Sequence, residues 1–353
     1  MRERQRVVVT GMGVISPVGL DEKTLWQNII AGRHGIRTIS RLKSEEFKSR
    51  NCAEVDQTLL MAQLEASKLR PGARAVDMTA LATTQALGAA GLLNGPEPVP
   101  RNIATILGTG GGVVESLEEG YRRYAEGDLR SIRPTTVVRG MSNLIASSIS
   151  IMFRLTGPNY IIASACASST CAIGVGMRMV RDGYAERVLC GGAEALFVRS
   201  IYGAWDKIGA MSINPDSCRA SRPFDVNRDG FIMGEGAAML VIESRDAAIA
   251  RGARIRGEIC GFGEASDAEH LTRPSPHGQV AAMRAALADA DVRPDEIGFI
   301  NAHGTSTEAN DECECQSIRE VFGDSVNGLL VASNKSLFGH LMGASGAMET
   351  IVT

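Results

Sequence analysis

Short apolar runs separated by helical patterns set the tightest limit on how this chain folds. Strand-like runs are read at Val7–Thr10, Ile103–Leu107, Tyr160–Ala163, Val188–Cys190, Ala237–Glu243, Gly298–Ile300 and Leu329–Ala332. Helical patterns lie between them at Leu25–Ala31, Thr79–Ala90, Ala167–Arg181, Gln279–Ala290 and Asp311–Val321. Asp182-Gly183 supplies a stop signal after the third. Strands alternating with helices predict an α/β fold whose sheet is covered by helices. Residues 33–75 are rich in charge and lack a period, so they read as a surface excursion. Gly252–Arg256 reads as a hinge and divides the chain into halves at 1–253 and 254–353.

Two segments share a design. Residues 159–180 run strand, Ala-Ser, then a helix of small residues, and residues 330–352 (LVASNKSLFGHLMGASGAMETIV) do the same. If both halves repeat one plan, their two strand-to-helix junctions face a common site. With 39 glycines and only 5% aromatic residues, small side chains carry much of the packing and elements approach closely.

Composition excludes several classes. A net charge of −3 gives no global pull toward nucleic acid or an anionic membrane. No apolar stretch is long enough to span a bilayer, and the N-terminus lacks a signal-peptide core, so a cytoplasmic protein is expected. Eight scattered cysteines without a secretory signal read as reduced thiols. Cys313 and Cys315 fall on different faces of their helix, so no metal site is expected there.

Three constellations carry chemistry. In SACASST (164–170), Cys166 sits where a strand ends and a helix begins. A helix N-terminus carries partial positive charge and favours the thiolate. Ala165, Ala167, Ser168 and Ser169 leave room above the sulfur. In FINAHGTST (299–307), His303 follows a buried strand, and ligands in open α/β sheets gather beyond strand carboxyl ends. In SNKSLFGHLMGAS (333–345), His340 lies between Gly339 and a small-residue helix. Lys335 shares that turn, and Glu349 can reach back to pair with it, as a buried lysine requires. One Cys and two His without an evident orienting carboxylate differ from a hydrolase triad. Two neutral imidazoles donating to a developing enolate or thioester oxygen suit carbon–carbon bond formation.

Weaker signals complete the reading. LGTGGG (107–112) lacks the spacing of a phosphate loop and reads as backbone making room around a substrate channel, with Gly111 in its floor. Arg122, Arg123, Arg130, Arg133 and Arg139 make one arm locally basic, either a solvated face or a surface for an acidic protein.

VVVTGMGVISPVG (7–19), SACASST (164–170), GGAEA (191–195), SRPFDVNRDGFIMGEGAAMLVIES (221–244), NAHGTST (301–307) and SNKSLFGHLMGASGAMET (333–350) together resemble the type II β-ketoacyl-acyl carrier protein synthases. The resemblance runs along the whole chain. It implies a thiolase-like fold, two related α/β halves in a five-layer α-β-α-β-α arrangement, with the second half incomplete because such proteins continue past Thr353. It implies an acyltransferase that performs a decarboxylating Claisen condensation in fatty acid biosynthesis. Carried over by motif, Cys166 takes the acyl group and its backbone N–H donates to the thioester oxygen. His303 and His340 assist malonyl decarboxylation, with Lys335 and Glu349 holding the polar network. Thr305 and Thr307 contact the phosphopantetheine arm, and Arg130 and Arg133 are offered as the carrier-protein surface. No metal or diffusible cofactor is implied, because the acyl carrier protein supplies its own phosphopantetheine. A homodimer is expected, or a heterodimer with a chain-length factor. The alternatives are a ketosynthase of a type II polyketide or polyene pathway and a non-catalytic chain-length subunit; the presence of Cys166, His303 and His340 argues against the latter.

Overall fold

The computed structural model describes residues 4–70, 72–93, 102–127 and 129–353. Its strands are β1 (Val7–Ile15), β2 (Arg37–Thr38), β3 (Asn51–Cys52), β4 (Ala104–Gly108), β5 (Asn159–Ile162), β6 (Arg187–Glu194), β7 (Gly236–Ser244), β8 (Gly257–Ile259), β9 (Phe299–Asn301) and β10 (Leu330–Ala332). Its helices are α1 (Glu22–Ile30), α2 (Gln57–Ala66), α3 (Arg74–Ala89), α4 (Val114–Ala125), α5 (Thr136–Gly140), α6 (Leu144–Phe153), α7 (Ser168–Arg181), α8 (Arg199–Ile208), α9 (Arg245–Ala250), α10 (Pro276–Ala290), α11 (Glu308–Phe322), α12 (Lys335–Phe338) and α13 (Ser345–Val352). Each strand and helix read from the pattern is present, with its ends shifted by a few residues.

Six strands form one mixed sheet in the order β5-β4-β6-β7-β1-β8. β4 is parallel to both β5 and β6, whereas β7 is antiparallel to β6 and β1. Nearly continuous apolar runs in β6 and β7 are the mark of strands covered on both faces, and both are buried along almost their whole length. One face carries α3 and α6, whose Ala82, Ala86, Ile145 and Ile149 pack with Leu107, Leu189 and Met239 of the sheet. The other carries α7 and α13, whose Ala172, Met177, Ala347 and Met348 pack with Ile106, Cys190 and Leu240. β9 and β10 form a separate parallel pair. Asn301 Nδ2 of β9 donates to Glu349 O of α13 (3.3 Å), so α13 lies between the two sheets. α10 is tied to α7 by Arg181 Nη1 and Asp289 Oδ1 (2.8 Å) and packs against α11.

The large sheet delivers the site because α7 starts close to it. A Cβ on Gly108 at the end of β4 would lie 2.3 Å from the carbonyl carbon of Ser168, so only glycine lets the helix begin there.

Two local expectations are corrected. Residues 33–75 are not a surface excursion: Ile36, Ile39, Phe47, Cys52 and Val55 are buried, β2 pairs with β3, and Gln57–Ala66 is helical. Part of the charge that hid this core segment, Glu54 and Arg74, is itself buried. Arg74 Nη2 donates to Glu235 Oε1 (2.6 Å) and to Val55 O (2.6 Å), and Glu54 accepts the Ser40 and Arg41 backbone N–H groups. Nor is Gly252–Arg256 a free hinge, since Ala253 N–H donates to Ala248 O and Arg256 N–H to Val9 O. Among the described residues no helix is long and apolar enough to cross a membrane.

Candidate active site

Cys166 lies in a short 3₁₀ turn, Ala165–Ala167, between β5 and α7. Ala165 has φ +45°, a left-handed conformation disfavoured by its Cβ, and this sharp turn presents the next residue. Ser168 holds the turn closed: its Oγ accepts the Ser164 N–H (2.9 Å) and donates to Ala165 O (2.6 Å).

His340 reaches the same point from the second half. Its Nε2 lies 3.0 Å from Cys166 Sγ. Its Nδ1 accepts the backbone N–H of Met342 (3.1 Å) and lies 2.9 Å from Ser345 Oγ. A neutral ring that accepts at Nδ1 carries its proton on Nε2, aimed at the sulfur. His303 completes the group: its ring centroid is 5.3 Å from that of His340, edge to face, and the donor atoms of Cys166, His303 and His340 all lie within 4.8 Å of one another.

Both rings are neutral. Burial, reinforced by the Lys335 ammonium, pushes His303 down to about 3 and His340 well below the imidazole range. Lys335 is 1% exposed and pairs with Glu349, whose carboxyl burial pushes upward while the ammonium pulls it back. The expected ion pair is therefore present beside the histidines.

The sulfur departs from expectation. Desolvation pushes the Cys166 thiol above its ordinary range, and the Lys335 ammonium pulls it only partly back. The turn, not a long helix, is its immediate setting, and its burial outweighs the cation. The resting group is a neutral thiol, and reaction must draw off its proton.

Cysteine and two histidines also form a set of metal-ligand atoms. The donor chemistry argues for another use. A metal on His340 Nε2 would take the position of its proton and leave Nδ1 holding a hydrogen against the Met342 N–H. The ring is built to donate from Nε2.

Two buried carboxylates, Glu194 and Glu314, position the site. Glu194, at the end of β6, accepts from Gly110 N–H (2.6 Å), Gly111 N–H (3.0 Å), Gly343 N–H (2.9 Å) and Thr109 Oγ1 (3.1 Å). It clamps the LGTGGG loop to the turn after His340, so the amides that resemble an anion cradle are spent on the protein's own carboxylate. Glu314 of α11 accepts the backbone N–H groups of His303 (2.6 Å) and Gly304 (2.8 Å). One helical turn earlier, Asp311 accepts the N–H groups of Ser306 (3.2 Å) and Phe224 (2.8 Å). Asp311 and Glu314 share one buried face, three residues apart. The signal was available: an acid closing an apolar strand in GGAEA, and acids at helical spacing in NDECECQ.

The remaining expected residues divide. Thr305 Oγ1 lies 2.8 Å from Thr307 Oγ1, and Thr307 also caps α11 by accepting from Asn310 N–H (3.4 Å). At Gly111 the missing side chain makes room for Leu196, whose Cδ2 would lie 2.4 Å from a Cβ there; the space is filled by protein. In the basic arm, Arg122 pairs with Glu119 (2.9 Å) and Glu126 (2.5 Å), and Arg123 with Glu119 (2.6 Å). Arg130 and Arg133 are exposed. Arg133 lines a hollow of about 270 Å³ with Arg123, Arg139 and Glu119. Cys313 is buried and Cys315 exposed, on different faces as expected.

Residues 4–248 match the family described as "Beta-ketoacyl synthase, N-terminal domain" and residues 256–353 the corresponding C-terminal domain. The chain is 36% identical over 354 residues to 3-oxoacyl-[acyl-carrier-protein] synthase 2 of Staphylococcus aureus, covering 99% of this chain and 85% of the relative. It is 37% identical over 361 residues to the protein of that name from Synechocystis, with the same coverages. Among solved structures, the ishigamide ketosynthase/chain length factor matches with a TM-score of 0.89 and 34% identity, covering 99% of this chain and 85% of that one. A ketosynthase in complex with its type II polyketide synthase acyl-carrier protein, bound to the hexaketide, also gives 0.89, at 28% identity and the same coverages. The architecture is thus the thiolase-like ketosynthase fold.

Proposed function

Since the chain belongs to the beta-ketoacyl synthase family, we propose that it is a condensing enzyme that elongates an acyl chain by two carbons with malonyl-acyl carrier protein, as in fatty acid biosynthesis. The observation that carries this is the contact of His340 Nε2 with Cys166 Sγ (3.0 Å), with His303 beside it. An acyl thioester of the carrier protein exchanges onto Cys166: the S–C bond to Cys166 forms, the carrier's thiol leaves, and the Cys166 proton passes to it. The backbone N–H of Cys166 donates to the thioester oxygen. Malonyl-carrier protein then loses carbon dioxide, and its enolate oxygen takes hydrogen bonds from the two neutral imidazoles. The enolate carbon attacks the acyl carbon, the bond to Cys166 Sγ breaks, the sulfur leaves as a thiolate that takes a proton from water to regain the resting thiol, and the β-ketoacyl carrier leaves. Because both rings stay neutral, they stabilise charge without needing to be reprotonated.

Lys335 adds to burial in keeping the imidazoles unprotonated, and Glu349 holds Lys335. Thr305 and Thr307 face the phosphopantetheine arm, which the carrier protein supplies in place of a cofactor. Arg130 and Arg133 meet the acidic carrier. The halves 1–253 and 254–353 form the two thiolase-like units, a division supported by the family models meeting between residues 248 and 256. The protein acts in the cytoplasm as a dimer. The free edge of β5, where Tyr160 is exposed, favours pairing there.

Incubation with acyl-carrier protein should add one acyl group at Cys166, and malonyl-carrier protein should then release a product two carbons longer with carbon dioxide. Absence of the acyl adduct would overturn the proposal. The likeness to polyketide ketosynthases supports a second reading, in which the same site repeats the condensation without intervening reduction; poly-β-keto products from malonyl-carrier protein would distinguish it.

A further inference from the structure

A second thiol–imidazole pair lies outside the site described above. His34 Nε2 is 3.3 Å from Cys218 Sγ, although the two residues are 184 positions apart. Cys218 is exposed and His34 half-buried. The His34 Nδ1 atom is buried and has no hydrogen-bond partner among the described residues. Nothing therefore fixes the ring's tautomer, and Nε2 is open to accept the thiol proton.

The pair is held by the fold rather than by two loose loops. Gly35 N–H donates to Leu337 O (2.7 Å), and Ser221 Oγ donates to Lys335 O (3.2 Å). Both segments are thus anchored to α12. Within its own turn, the Cys218 N–H donates to Asp216 Oδ1 (2.9 Å), which orders the backbone around the thiol. Exposed Arg33 and Arg219 adjoin the two residues in sequence. An exposed thiol next to a base and flanked by arginines suits attack on a small disulfide that carries carboxylates.

We propose that Cys218 is a modification site that forms a mixed disulfide with low-molecular-weight, carboxylate-bearing disulfides, with His34 as its base. The Cys218 proton moves to His34 Nε2, and the thiolate attacks one sulfur of the disulfide. The new S–S bond forms as the old one breaks. Cys218 is oxidised, the displaced half is reduced to a thiolate, and that thiolate takes the proton back from His34. No further oxidant is needed.

The test uses oxidised glutathione on the intact protein, with each thiol followed by peptide mass mapping. Exposed Cys260 and Cys315 serve as internal references. In the wild type, Cys218 should form its adduct about tenfold faster than either reference. His34→Asn should bring Cys218 to the reference rate and leave Cys260 and Cys315 unchanged. Equal rates at the three thiols in the wild type would overturn the proposal, as would a Cys218 rate indifferent to H34N. The wild-type comparison needs no variant, so a folding defect in H34N does not shield the idea.

Discussion

The two strand-to-helix junctions use one backbone for different ends. After β5 the chain runs Ala165-Cys166-Ala167-Ser168 into α7; after β10 and α12 it runs Met342-Gly343-Ala344-Ser345 into α13. Each passes through a 3₁₀ turn, and the first residue of each is left-handed, φ +45° at Ala165 and +44° at Met342. They differ at the next position. Cys166 projects its sulfur toward the histidines. At Gly343 a Cβ would lie 2.3 Å from Gly110 N, and its own N–H is given to Glu194. The first turn supplies the proposed nucleophile. The second aims His340 through the Met342 N–H and leaves no space for a side chain of its own. One strained turn thus serves as a presenter of chemistry in one half and as a packing joint in the other.

The comparison breaks most sharply at Cys166. Cys166→Ala should lower condensation on the order of 10³-fold or more, because the covalent route is gone. Its melting temperature should stay close to that of the wild type, since the turn is held by Ser168. Retained acyl labelling in C166A would move the nucleophile elsewhere. Next come the imidazoles. His303→Ala and His340→Ala should each reduce condensation by roughly 10²–10³-fold, the usual cost of one transition-state donor. Acyl transfer onto Cys166 should fall less, and equal losses in both half-reactions would mean that the rings do not serve the malonyl unit in particular.

Gly343→Ala probes the other turn. Overpacking against the Gly110 backbone should cost roughly 1–3 kcal/mol of stability, read by thermal or denaturant unfolding. A variant as stable as wild type would dissolve the distinction between the turns. The smallest effect concerns pH. His303, held at about 3, is neutral throughout the physiological range, so the wild-type rate should show no loss from its protonation between pH 5 and 8. Lys335→Met removes a cation that lowers it, so its value should rise and protonation should begin at higher pH. Because only the neutral ring fits the proposed role, condensation in K335M should weaken toward acid pH, relative to its own rate near pH 8. A profile parallel to wild type would show that burial alone controls the ring.

The order of strands and helices was legible because apolar period survives in a single chain. Residues 160–163, 237–243 and 329–332 read as strands from their runs alone. The site's candidate reacting groups were legible for another reason: a Cys or His at a strand end, among Gly, Ala and Ser, has few structural uses. The segment 33–75 misled because Glu54 and Arg74 are charged yet buried, and only their partners, among them Glu235 far along the chain, make that tolerable. Glu194 and Glu314 were passed over for the same reason, since a carboxylate that accepts backbone N–H groups looks like any other acid until those groups are brought to it.

The amino-acid sequence by itself determined the alternating α/β plan, the repeated junction and the identity of Cys166, His303 and His340, because these follow from local period and residue chemistry. Only the tertiary structure decided the rest. It set which proton His340 carries, the neutral state of both rings, and the upward push on the thiol that a helix-start argument had taken the other way. Charge states depend on how much water a group has lost and which ion stands beside it. The Lys335 ammonium acts on Cys166 and His303 only once the folded chain has brought it, paired with Glu349 of α13, beside them.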